Sequence, residues 1–223
     1  MLRRTMAAMD ALRERLERKI AAEREPIAVV GLGCRFPGIE GPEEFAQFLK
    51  TGESLVGRLT EARAAAFAGP RAARYQAGGF FEDIAAFDAD AFGIAEDEAL
   101  AMDPHLRFLL EVARDAIEDA ALADGRLSRS RTAVILALGA QNNDYAAALA
   151  ASPAGLGRHA IPGSFHSLMP GRLSYHFDLR GPSFVVDAAC ASSLVAVDLA
   201  CQSLRRGDCD YALVAAVNLV LSD

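Results

Sequence analysis

The chain opens with a helical period and then changes it. Over residues 1–25, Leu2, Met6, Met9, Leu16 and Ile20 recur at alternating steps of four and three, with Arg13 in the remaining core slot. Arginine and glutamate fill most other positions. The spacing predicts about three heptads of coiled coil, because a lone helix of this length is marginal in water and needs a partner. A solvated single helix with chance periodicity is the alternative. Pro26 ends the pattern.

From residue 26 onward, short continuous apolar runs alternate with helical spacings. Residues 27–31, 132–138, 183–187 and 211–218 read as strands buried on both faces. Residues 43–50 predict a short helix behind Pro42, and residues 51–79 an irregular loop with short helical pieces. Phe80, Phe81, Phe87 and Phe92 lie in a loop context that suits packing onto a core. Residues 96–123 predict a helix interrupted at Asp103-Pro104, with Leu106, Leu109, Leu110, Ala113, Ile117 and Ala121 on one face and Gly125 as its stop. Residues 139–170 are loop and helix of mixed character, and Pro170-Gly171 introduces a helix or turn that runs to His176. Residues 191–206 form a largely apolar helix, which predicts a buried one, and Gly207 caps it. Alternating strands and helices give an α/β class.

Size and charge narrow the function. The 223 residues suffice for one sizeable domain or for one domain plus an appendage, and a net charge of −7 argues against nucleic acid as the main partner. There is no uncharged apolar stretch of about 18 residues to span a membrane, and no apolar signal core at the start. A cytoplasmic location is the expectation. Cys34, Cys190, Cys201 and Cys209 match neither a zinc spacing nor a secreted disulfide framework. Cys190 and Cys201 sit on one predicted helix about 16 Å apart, too far to bridge. Reduced thiols follow, and no metal is implied.

Cys190 is the candidate for chemistry. Residues 184–197 read Phe-Val-Val-Asp-Ala-Ala-Cys-Ala-Ser-Ser-Leu-Val-Ala-Val. A β-branched run leads into small residues, the cysteine and a helical pattern, which is the local design of a nucleophile elbow. The helix start offers N–H groups without intrahelical partners, and these favour a thiolate. Small flanking residues leave room for a substrate carbonyl. An inert buried cysteine at a helix start is the alternative. The other motifs are weaker. Gly31-Leu32-Gly33 opens like a dinucleotide fingerprint, but Phe36 occupies the third glycine position and Pro37 follows. A tight turn that needs glycine backbones is the better reading, and nucleotide binding is rejected. His105, His159, His166 and His176 show no ligand spacing and read as surface or structural histidines, with His176 in a packing context between Tyr175 and Phe177.

Several collinear stretches then resemble one family. Residues 25–38 read Glu-Pro-Ile-Ala-Val-Val-Gly-Leu-Gly-Cys-Arg-Phe-Pro-Gly, and residues 87–94 read Phe-Asp-Ala-Asp-Ala-Phe-Gly-Ile. Residues 101–107 read Ala-Met-Asp-Pro-His-Leu-Arg, and residues 171–183 read Gly-Arg-Leu-Ser-Tyr-His-Phe-Asp-Leu-Arg-Gly-Pro-Ser. Residues 202–210 read Gln-Ser-Leu-Arg-Arg-Gly-Asp-Cys-Asp. Together they resemble the N-terminal half of a β-ketoacyl synthase, or ketosynthase, of a modular type I polyketide synthase. Residues 1–25 look like the docking coiled coil that precedes such synthases.

The resemblance implies a thiolase-like fold, the first half of a layered αβαβα architecture, with a mixed sheet on a buried helix 191–206. It implies residues 1–25 as a docking helix and residues 26–223 as the N-terminal half of the synthase. Cys190 would be the acyl-accepting nucleophile of a decarboxylative condensation with a malonyl-type extender. No cofactor would be bound directly, because the substrates ride on the phosphopantetheine of an acyl carrier protein. A homodimer and an upstream member of the synthase would be further partners. The family string Asp-Thr-Ala-Cys-Ser-Ser-Ser reads Asp187-Ala188-Ala189-Cys190-Ala191-Ser192-Ser193 here, so two hydroxyls are missing, at Ala188 and Ala191. The family's His-Gly-Thr-Gly-Thr and Asn-Lys-x-x-x-Gly-His strings do not occur. The chain therefore looks like a fragment or one half of a split synthase, inactive in condensation alone; a non-catalytic docking or dimerisation piece is the alternative. A cysteine hydrolase on another α/β fold is a third, with no partner pattern behind it.

Overall fold

The computed structural model describes residues 2–23, 25–59, 63, 77–122, 125–139, 144–151 and 157–221. Helix α1 spans Leu2–Glu23. Its Met6, Met9, Leu12, Leu16 and Ile20 are all exposed, and Arg13 pairs with Glu17 one turn on at 3.1 Å. Two residue pairs, β1 (Arg35–Phe36) and β2 (Ile39–Glu40), form a small antiparallel ladder. Helix α2 (Pro42–Thr51) follows, with Pro42 opening it. The predicted interruption at Asp103-Pro104 is real. Helix α3 (Glu96–Ala101) stops short of it and α4 (Pro104–Asp119) begins at the proline. The C-terminal stop comes earlier than Gly125, with Ala121 already in the left-handed region at φ 54°.

The core is organised by β3 (Thr132–Ala137), which is buried along its whole length. Strand alternation divides its apolar run between two layers. Val134, Leu136 and the adjoining Leu138 face a cluster with Leu106 and Leu110 of α4, Met169 and Leu173 of α7 (Met169–His176), and Met102, which ends α3. Ala133, Ile135 and Ala137 face Ala196 and Ala200 of α8 (Ser192–Arg206) and the nearby Cys209. Between β3 and α7 lie α5 (Asp144–Ala151) and α6 (Ala160–Ser164). Phe92 is buried, stacks on Phe87 and carries the Arg114 guanidinium over its ring, as the loop phenylalanines foreshadowed. Buried Arg107 of α4 donates to the carbonyls of Met102 and Ala85 and to the Tyr145 hydroxyl, which ties α5 to the loop.

The sheet departs from expectation in one respect. Among the described residues it is three-stranded in the order β4 (Ser183–Val186), β3, β5 (Tyr211–Ala216), and both pairings are parallel rather than mixed. Residues 27–31 are not a strand of it. With β4 on one side and β5 on the other, both hydrogen-bonding edges of β3 are already filled. Val29 and Val30 are exposed, and residues 31–33 instead lie against α4, where the Leu32 N–H donates to the Asp119 carboxylate at 2.8 Å. Gly31 and Gly33 do serve the backbone, but not through a turn. A Cβ on either would collide with the α4 backbone, at the carbonyls of Ala116 and Val112. Helix α8 is also only half covered. Ser192, Ala196, Ala200 and Ser203 form the buried stripe, whereas Leu194 and Val197 are exposed. Small residues on the inner face let the helix approach the sheet closely. One sheet can cover only one face of a helix that is apolar on both. Gly207, at φ 74°, ends α8 as expected.

Filling this close approach should be costly. Gly33→Ala is expected to lower stability by about 1–3 kcal/mol, the range for overpacking. A urea melt of the two chains checks this, and an unchanged midpoint would mean that residues 31–33 do not pack on α4.

Candidate functional site

Cys190 sits where the chain leaves the sheet. Strand β4 ends at Val186, level with Ala137 of β3, at the carboxyl edge of parallel strands. That edge is where open α/β sheets place their ligands. Residues 187–191 turn sharply, Ala189–Ala191 form one 3-10 turn, and α8 starts at Ser192. The thiol is exposed. The residue before it, Ala189, has φ 50°, a conformation that side-chain-bearing residues adopt at a cost of about 1–2 kcal/mol. The turn is held by short polar contacts. The Ala189 N–H donates to Asp187 Oδ1 at 3.1 Å, and the Ala191 N–H to the Ala188 carbonyl at 3.1 Å. The Ser192 hydroxyl accepts from the Ala188 N–H at 2.8 Å and donates to the Ala189 carbonyl at 2.7 Å.

The remaining cysteines differ from it. Cys209 is buried beneath α8, and Cys34 and Cys201 are half-buried. Burial pushes the Cys34 thiol up, with Glu43 adding to the effect, and burial likewise pushes Cys209 up. Both are thereby held as thiols.

The histidines are placed elsewhere. His176 packs edgewise on Phe177 and at a tilt on Phe92, and burial, with Arg172 and Arg114 nearby, lowers its pKa. His159 lies on the surface beside Asp97 and Arg158. His105 and His166 are buried beside Asp103, an arrangement that sequence spacing did not reveal. Asp103 caps α4 by accepting the His105 N–H at 2.8 Å, and it also receives the His105 Nδ1–H at 2.7 Å. His105 Nε2 in turn accepts the Leu219 N–H at 3.1 Å, just beyond β5. The three side chains could be mistaken for a metal centre. A metal on His105 Nδ1 would require the proton on Nε2, facing the Leu219 N–H donor, so both ring nitrogens are already committed. That leaves Asp103 and His166, 3.8 Å apart, too few ligands for a metal site. The cluster is a cap and a strut. The available signal was Asp-Pro-x at a helix start; its link to Leu219, 114 residues away, was not legible.

The family described as "Beta-ketoacyl synthase, N-terminal domain" matches residues 24–223. The chain belongs to the β-ketoacyl synthase family. It is 47% identical over 208 residues to one member of the phenolphthiocerol/phthiocerol polyketide synthase of Mycobacterium tuberculosis, covering 90% of this chain and 13% of that protein. A second member of the same synthase is 47% identical over 206 residues, covering 89% and 11%. Among solved structures, the oxazolomycin ketosynthase domain OzmH KS7 of Streptomyces albus JA3453 superposes with a TM-score of 0.74 at 31% identity, over 88% of this chain and 35% of that one. The ketosynthase from module 6 of the bacillaene synthase of Bacillus subtilis 168 gives 0.72 at 30%, over 87% and 31%. The β-ketoacyl synthase chain thus spans about a third of those ketosynthases and about an eighth of the curated relatives. Its fold is the thiolase-like α/β arrangement of their N-terminal portion, homologous to polyketide condensing domains. No helix among its described residues is long and apolar enough to cross a membrane.

Acid should expose the strut. Burial alone would raise the Asp103 carboxyl, but hydrogen bonding from His105, with His166 beside it, outweighs burial and holds it below the ordinary carboxylate range. Its contribution to stability is then fully present above about pH 4 and is lost as pH falls through the depressed folded value. Urea midpoints measured from neutral to strongly acid pH should fall more steeply for the native chain than for Asp103→Asn. Parallel curves would show that the carboxylate carries none of the acid sensitivity.

Proposed function

We propose that this chain is the nucleophile-bearing part of a polyketide ketosynthase, with Cys190 as its acyl acceptor. The observation that carries the reading is the exposed thiol on a strained turn between β4 and α8. The Cys190 thiolate attacks the carbonyl of an acyl thioester presented on the phosphopantetheine of an acyl carrier protein. The carbonyl–sulfur bond to the carrier breaks, the carrier thiol departs, and a new thioester joins the acyl group to Cys190. Backbone N–H groups beside Cys190 hold the oxyanion. In the complete enzyme a malonyl-type thioester then loses carbon dioxide. Its enolate carbon attacks the acyl carbonyl, Cys190 leaves as thiolate, and a β-ketoacyl chain two carbons longer remains on the carrier.

Enolate stabilisation is absent from these residues, since neither histidine string occurs. A second reading is a non-catalytic docking or dimerisation piece. The exposed Leu194 and Val197 on α8 suit a second layer of protein over the nucleophile helix. Residues 1–25 are assigned as a docking helix and residues 26–223 as the synthase portion. The outward row of Met6, Met9, Leu16 and Ile20 supports pairing of α1, in a homodimer or with an upstream member of the synthase.

Incubation of the chain with an acyl-pantetheine thioester, followed by peptide mass spectrometry, should place the acyl group on Cys190 ahead of Cys34, Cys201 and Cys209. Equal labelling of all four would defeat the assignment. The same chain given acyl and malonyl thioesters should form no β-keto product, and a detected product would show that the condensing groups are present after all. Leu16→Glu should abolish any self-association seen by sedimentation; an unchanged sedimentation coefficient in an associating chain would place the interface elsewhere.

A further inference from the structure

We propose that Ser192 is a positioning residue for Cys190. The inference rests on the reading of Cys190 as nucleophile and concerns what aims its sulfur. Ala189 holds φ 50°, and an alanine there relaxes toward ordinary backbone angles unless something restrains it. Ser192 supplies that restraint from inside. Its hydroxyl is buried, and it bridges the peptide groups on both sides of the kink, accepting from the Ala188 N–H and donating to the Ala189 carbonyl. Both contacts, at 2.8 and 2.7 Å, span the residues leading into Cys190, so the bridge fixes the direction in which its Cα–Cβ bond leaves the turn. Ala188 and Ala191, the nearest neighbours on either side of the Ala189-Cys190 pair, have no hydroxyl to share the task. Asp187 accepts the Ala189 N–H from the strand side of the turn. Ser192 also sits at the first residue of α8, so it couples the sulfur's direction to the helix packed on the sheet.

A residue that acts by aiming the nucleophile changes the rate of the chemical step and leaves substrate capture alone. Single-turnover acylation of the full chain by butanoyl-pantetheine, read at each cysteine by mass spectrometry, separates the two. Ser192→Ala should lower the saturating rate at Cys190 by about tenfold, the loss of one to two hydrogen bonds' worth of alignment, with the half-saturating thioester concentration unchanged. Ser192→Thr, which keeps the oxygen, should restore the rate. Iodoacetamide labelling of buried Cys209 reports whether each variant stays folded. A native saturating rate in Ser192→Ala overturns the proposal, as does a loss that Ser192→Thr fails to recover while Cys209 stays protected. If Ser192→Ala exposes Cys209, Ser192→Thr decides alone, a native rate supporting the proposal and a reduced one overturning it. If Cys190 of the native chain acylates no faster than the other cysteines, it is the nucleophile assignment that fails. The iodoacetamide rate at Cys190 then tests the bridge separately: a change of about threefold or more in Ser192→Ala upholds it, and an unchanged rate overturns it.

Discussion

The structure depends on the burial of one strand on both faces. β3 has no face turned to solvent, so each of its alternating side chains must find an apolar partner. Large residues on one side take α4 and α7; small residues on the other admit α8 at close range. Its two hydrogen-bonding edges are taken by β4 and β5. Parallel pairing puts the ends of β3 and β4 at one edge, and α8 must start there in order to run back under the sheet. The elbow lies at that corner. Without the small-residue stripe of Ala196 and Ala200 and its facing alanines, α8 would stand off the sheet and carry Ser192, one of the groups that hold the turn at Ala189, with it.

The corner concentrates strain and polarity on a few atoms. A non-glycine residue in the left-handed region precedes the thiol, and Ser192 and Asp187 satisfy the backbone groups that the kink turns away from regular structure. Turns of this strand-to-helix kind project a nucleophile above the sheet. Hydroxyls that the related string carries at the positions of Ala188 and Ala191 are lacking, so fewer groups share the restraint. The buried histidines lie apart from this chemistry. His105 supports the chain beyond β5, and its tautomer is fixed by a donor on one side and a carboxylate on the other.

Much of this was legible because local pattern and tertiary environment agreed. β3 is readable as a buried run, the helix break as Asp103-Pro104, the cap as Gly207, and Cys190 as a thiol between strand and helix. Residues 27–31 mislead because Ile27, Ala28, Val29 and Val30 suit a strand, whereas Gly31 and Gly33 take the chain against α4, a contact no local pattern shows. Gly31-Leu32-Gly33 suggests a turn, whereas close approach of α4 explains it; glycine serves both needs, and only the neighbour distinguishes them. The Asp103–His105–Leu219 strut joins residues too far apart in sequence for any period to connect. The positive φ at Ala189 is hidden, since alanine does not suggest it.

The sequence by itself determined the family, the alternation of strands and helices, and the place of Cys190 between a strand and a helix, because these rest on residue order and on short-range periodicity. Tertiary structure alone decided which runs entered the sheet, which face of α8 was covered, and how the sulfur is aimed. Those outcomes depend on competition for a limited number of hydrogen-bonding edges and on distances of a few ångströms between segments remote in sequence, and no local pattern encodes either.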